Sequence, residues 1–174
     1  MGRDKALLPC GGHTMLEDTL RKVAVVAMPV AIIAPRDRYA ESGYPTYPDL
    51  RPGCGPLGGL ETVLTLDLAD WNLVLACDMP GLTNALLAAL VERIPATPEE
   101  SACVAARGPT GLEPLCAIYH RSCLAHVRNA LDHRRLKARS LLAEFNPIAV
   151  DGFPPELLAN VNTPAEWAAA GARR

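Results

Sequence analysis

The chain has no long run of one charge sign, and its 17 Lys and Arg against 19 Asp and Glu leave a net charge of −2. A protein that coats nucleic acid must neutralise many phosphates, so that class is excluded. A small phosphorylated ligand needs only one or two local cations, so that class stays open. No apolar run approaches the roughly 20 residues a membrane helix requires, and no signal peptide is read at the start. Six cysteines are present but form no CxxC pair, and the closest two, Cys116 and Cys123, are seven apart. Structural zinc draws on close pairs, so it is not expected. The four histidines, His13, His120, His126 and His133, share no metal-ligand spacing. There is no Walker loop, no dinucleotide GxGxxG and no GxSxG nucleophile elbow.

What is present is ordinary globular composition, 49% apolar and 21% charged over 174 residues, enough for one domain with a real core. Cys77, Cys103 and Cys116 lie inside apolar runs, where a reduced thiol behaves as a small hydrophobe and suits a cytoplasmic enzyme.

Short apolar runs alternate with helical patterns. Thr14 and Glu17 have capping-box spacing and open a helix to about Val25. Strands are expected at 29–34, 72–77, 101–106, 115–119 and 148–150. Helices are expected at 57–66, from Thr83 to Arg93, from Ser122 to Asp132 and at 140–145. A last helix opens at the second capping box, Thr163–Glu166. Strands alternating with helices imply an α/β fold with a mostly parallel sheet covered on both faces. Ligands in such folds sit beyond the carboxyl ends of the strands.

Asp78 follows the apolar run Leu73-Val74-Leu75-Ala76-Cys77 directly. A carboxylate there can hold magnesium, which takes oxygen ligands and bridges phosphate oxygens. It can equally form the turn of Asp-Met-Pro-Gly. Asp49 begins a stretch that runs through Gly53, Gly55, Pro56, Leu57, Gly58 and Gly59 into a helix. Glycines let backbone amides approach an anion, or let a helix start pack tightly. Lys5 offers a cation for phosphate or a solvated side chain. Glu113 stands just before a strand, at a substrate edge or in a simple turn. Thr163 is explained by helix entry alone, which Asn160 is not. The basic run 134–139 reads as a solvated face or an anion patch.

Taken in order, Met1-Gly2-Arg3-Asp4-Lys5-Ala6-Leu7-Leu8, Asp49 with Gly55-Pro56-Leu57-Gly58-Gly59, Leu75-Ala76-Cys77-Asp78-Met79-Pro80, Glu113-Pro114-Leu115 and Asn160-Val161-Asn162-Thr163-Pro164 resemble the molybdenum cofactor guanylyltransferase (MobA) family. Each segment is weak alone, and the ordered set is specific. The resemblance implies a three-layer, Rossmann-like nucleotidyltransferase fold. It implies transfer of GMP from MgGTP to molybdopterin or its molybdenum-loaded form, with Mg2+ as cofactor and cofactor-pathway proteins as possible partners. By that pattern Lys5 contacts the GTP phosphates and Asp49 helps hold the nucleotide. Asp78 binds magnesium and nucleotide. Gly55, Pro56, Leu57, Gly58, Glu113, Asn160 and Asn162 lie near nucleotide or pterin.

Members of the family carry an apolar strand and a glycine-rich loop ahead of the Met-Gly segment, and this chain begins at that Met. The expectation is therefore an amino-terminally truncated chain, with an apolar slot and two unpaired strand edges where the strand would lie. The alternatives are a molybdopterin cytidylyltransferase or a non-catalytic module that binds pterin or a partner.

Overall fold

In the computed structural model, residues 4–96, 98–161 and 166 are described. Asn162 and all of the expected Thr163–Glu166 capping box except Glu166 lie outside them.

The chain enters through a 3-10 turn, Lys5–Leu7, then a hairpin of β1 (Pro9–Cys10) and β2 (His13–Thr14). Helix α1 (Met15–Val26) starts at the expected capping box: Thr14 Oγ1 accepts from Glu17 N–H at 3.2 Å and Glu17 Oε2 accepts from Thr14 N–H at 2.7 Å. There follow β3 (Ile32–Ile33), β4 (Thr46–Tyr47), α2 (Pro56–Thr65), β5 (Trp71–Leu75), α3 (Asn84–Glu92), β6 (Cys103–Gly108), β7 (Gly111–His120), α4 (Leu124–Asp132), α5 (Ala138–Leu142) and β8 (Ile148–Val150). Thr83 caps α3, its hydroxyl accepting from Leu86 N–H at 3.3 Å. Ser122 does not cap the next helix. The His120 ring takes the Ser122 N–H instead, in a 3-10 turn that precedes α4.

The α/β class holds, and the sheet is mixed rather than mostly parallel. Its four-stranded part has the order β5-β7-β6-β8, with β7 antiparallel to both neighbours and β8 parallel to β6. The reason is local. Only Pro109 and Thr110 separate β6 from β7, and Gly108 pairs with Gly111 across a hairpin far too short for a parallel crossover. The run at 29–34 yields a strand only at Ile32–Ile33, which pairs in parallel with β4 and belongs to a separate two-stranded sheet.

Alternate residues of β6 serve opposite faces. Cys103 and Ala105 pack with Leu57, Leu60, Leu64, Val127 and Leu131 from α2 and α4. Val104 and Ala106 pack with Leu86, Leu87 and Leu90 from α3. These are the three expected layers. A third apolar cluster joins Ala6, Leu16, Leu20, Val30 and Ile32. Burial pushes the Cys116 and Cys123 thiols up to about 12, as their apolar surroundings require.

Between the β3–β4 pair and the four-stranded sheet lies an apolar slot. Leu20, Val23, Val30, Ile32, Leu60, Leu73 and Leu75 line it. Strand β5 pairs only with β7 among the described residues and is half-buried along its length. It is therefore an edge strand, antiparallel to its partner, and not the buried parallel strand that its apolar sequence suggests. Uniform apolarity reports what a strand can cover, and β5 has its free edge on the slot. Among the described residues no helix is long and apolar enough to cross a membrane.

Candidate active site

The slot opens into a cavity of about 740 Å³, within the range typical of small-molecule sites. Asp4, Lys5, Arg38, Asp49, Asp78 and Asn160 are among its lining residues, as are Gly55, Pro56 and Gly59. Segments from the start, middle and end of the chain thus meet in one place.

Asp78 lies just past β5, where Ala76 N–H still donates to Leu115 O at 3.0 Å before the chain turns. The turn that follows is held from outside. The main-chain oxygen of Asp78 accepts from Val161 N–H at 2.9 Å. A Cβ built on Gly81 would stand 2.7 Å from Glu156 O and 2.9 Å from Leu157 Cα. Only glycine therefore lets the 3-10 turn at Pro155–Leu158 lie against this loop, which in turn carries Asn160 to the cavity.

The Asp78 carboxylate does not cap α3, because Thr83 does that. Its Oδ1 is buried without a hydrogen-bond partner. Burial raises its pKa above the usual carboxylate value, and the nearby Lys5 ammonium pulls in the opposite direction. A buried, unpartnered carboxylate oxygen on a residue that lines the cavity suits a hard cation, which prefers oxygen ligands.

Lys5 sits in its 3-10 turn behind Asp4. The Asp4 carboxylate accepts from Ala6 N–H at 3.1 Å, Arg38 Nε at 2.9 Å and Tyr39 Oη at 2.9 Å. Burial opposes ionisation of Asp4, but these hydrogen bonds together with the Arg38 charge win and hold its pKa below the usual value. Burial and the Asp4 carboxylate push the Tyr39 hydroxyl up to about 12.

The glycine-rich segment divides its work. Gly55 has φ +60 and precedes Pro56 at the first turn of α2. Gly58 is packed: a Cβ there would meet Arg51 O at 3.0 Å and Cys54 Cβ at 3.3 Å. Leu57 is a core residue, 1% exposed. Gly58 and Leu57 do not line the cavity, whereas Asp49, Gly55, Pro56 and Gly59 do. The loop is anchored by Glu61, 3% exposed, against Arg51 at 3.1 Å and Arg128 at 3.5 Å. The Arg51 contact is an ion pair without hydrogen-bond alignment, since Glu61 Oε2 has no hydrogen-bond partner.

Glu113 lies inside β7 and not ahead of it. It is bound to Arg139 at 2.8 Å and does not line the cavity. Arg139 also donates to Thr110, and Arg135 pairs with Glu144 at 2.6 Å. Part of the basic run is thus spent on ion pairs. Sequence reasoning missed Arg38, Tyr39 and Glu61, and it read Gly81 as a turn residue without its contact to Glu156 and Leu157. The partners of Arg38 and Tyr39 lie more than thirty residues away, and no spacing rule reaches that far.

A family profile described as the MobA-like NTP transferase domain matches residues 1–148. The chain belongs to that family. A protein of Deinococcus radiodurans named as a probable molybdenum cofactor guanylyltransferase is 34% identical over 167 residues, covering 96% of this chain and 85% of its own. Among solved structures, molybdopterin-guanine dinucleotide biosynthesis protein A from Archaeoglobus fulgidus superposes with a TM-score of 0.76 at 20% identity. The match covers 99% of this chain and 91% of that one. A Mycobacterium tuberculosis H37Rv protein crystallised with manganese superposes with a TM-score of 0.67 at 19% identity, covering 97% and 92%. The nucleotidyltransferase fold expected for a MobA-like chain is therefore the fold observed.

Proposed function

We propose that this chain transfers GMP from GTP to the terminal phosphate of molybdopterin, or of its molybdenum-loaded form, and releases pyrophosphate. The observation that carries the reading is the buried, unpartnered Oδ1 of Asp78 in a cavity shared with Lys5, Asp49 and Asn160. Family membership and the named relatives support it.

An oxygen of the acceptor phosphate attacks the α-phosphorus of GTP and forms a new P–O bond. The bond from that phosphorus to the bridging oxygen of the β-phosphate breaks, and pyrophosphate leaves with the electron pair. Both reactants are anions, so positioning and positive charge supply most of the acceleration. Asp78 is the residue that would hold the divalent cation, Mg2+ in this reading. Such a cation, when bound, would neutralise phosphate charge. Lys5 contributes a fixed ammonium to the phosphates. Asp49 and the Gly55–Pro56 entry to α2 border the nucleotide. Asn160 is assigned to substrate, with Asn162 and Glu113 as weaker candidates. No protein nucleophile is required. Location in the cytoplasm belongs to the same proposal.

The test is pyrophosphate release by the purified chain with molybdopterin and either GTP or CTP. Faster release from GTP supports the assignment. Preference for CTP would transfer the chain to cytidylyl transfer, and release from neither would defeat the enzymatic reading.

A further inference from the structure

We propose that Asp4, Arg38 and Tyr39 form a positioning clasp that holds Lys5 at the Asp78 end of the cavity. The inference rests on the nucleotidyl-transfer reading for its consequence, though not for its geometry.

Lys5 lies in a 3-10 turn of three residues, whose backbone hydrogen bonds are Leu7 N–H to Asp4 O at 3.2 Å and Leu8 N–H to Lys5 O at 3.0 Å. A turn so short cannot hold its own shape in water. Such a turn draws support from its surroundings, and the Asp4 carboxylate is placed to give it. It caps the turn through Ala6 N–H and reaches across to the loop after β3, where Arg38 Nε and Tyr39 Oη both donate to its Oδ2. Arg38 supplies the counter-charge, with its guanidinium 5.9 Å from the Tyr39 ring centre. The Tyr39 ring packs against the apolar cluster that contains Ala6, and Cys77, the residue before Asp78, packs there too. The clasp therefore ties the lysine turn, the loop after β3 and the end of the β5 segment to one another. Charge-assisted hydrogen bonds of this kind are the stronger ones. Displacement of a charged group by about 1 Å can cost on the order of 100-fold in rate.

The experiment is a double-mutant cycle in the full chain. Tyr39→Phe removes one hydroxyl and leaves the packed ring, and Arg38→Gln removes the counter-charge. Each is made in the wild-type and in the Lys5→Ala background. With MgGTP and molybdopterin, Tyr39→Phe should lower kcat about 5- to 20-fold with KM for GTP within about 2-fold. In the Lys5→Ala background it should cause no further loss, because the clasp acts through that side chain. Equal losses in both backgrounds overturn the proposal while leaving guanylyl transfer intact. Amide hydrogen exchange at Ala6, Leu7 and Leu8 needs no turnover and should speed up about 10-fold in Tyr39→Phe and Arg38→Gln. If the wild-type chain does not turn over GTP, the functional reading fails and exchange alone decides the clasp. Unchanged exchange in both variants rejects it.

Discussion

Val161 N–H donates to the main-chain oxygen of Asp78 at 2.9 Å, so the last described stretch of chain is fastened to the residue that opens the central turn of the site. Asp78 lines the cavity and its Oδ1 is left unpartnered, while its backbone does the fastening.

Asp78→Asn should reduce nucleotidyl transfer by at least about 100-fold, the usual cost of losing a group aimed at developing phosphate charge. The melting temperature should stay the same or rise. Burial raises the folded-state pKa of this carboxyl, so its ionised form opposes folding above that pKa, and the cost is relieved as pH falls through it. Manganese titration of both proteins checks the cation. Equal affinity would remove Asp78 from the metal site.

Gly81→Ala should destabilise the protein by about 1–3 kcal/mol, since a Cβ 2.7 Å from Glu156 O forces the two backbones apart. Urea unfolding reads the loss. Apparent affinity for the acceptor substrate should weaken too, because Asn160 follows the displaced turn. A variant with unaltered stability would show that the loop and the turn are not in contact.

Asp4 has the opposite sign from Asp78. Its folded-state pKa lies below the ordinary value, so it contributes stability above the unfolded pKa and loses it as pH falls through the folded one. Wild type should melt higher than Asp4→Asn at pH 6–8, and the gap should narrow as pH falls below the ordinary carboxylate value of about 4. A gap that does not narrow on acidification would contradict the ionic character of the clasp.

Thr14→Ala should cost about 1 kcal/mol through loss of the cap of α1 and leave turnover unchanged. Thermal melts and the pyrophosphate assay together check it.

The elements that sequence revealed best are those fixed by neighbours in the chain. Thr14 with Glu17 and Thr83 with Leu86 are three residues apart, and both caps stand where the spacing puts them. Asp78, Lys5, Asp49 and Asn160 could be singled out because each interrupts or borders a regular pattern, and the fold brings all four to one cavity. What sequence could not show depends on pairing across distance. The antiparallel course of β7 follows from a hairpin at Pro109–Thr110, in a segment read as two separate strands. The ion pair of Glu113 with Arg139 could not be read either, because the two are 26 positions apart. The glycines of the 53–59 segment are alike in sequence, yet Gly58 serves packing and Gly55 borders the site.

The divided sheet has a consequence for handling the protein. Among the described residues strand β5 has no partner on its outer margin, which borders the apolar slot, and such a margin is a template for another chain. Self-association should therefore rise with concentration and begin at this margin, which light scattering over a concentration series reads.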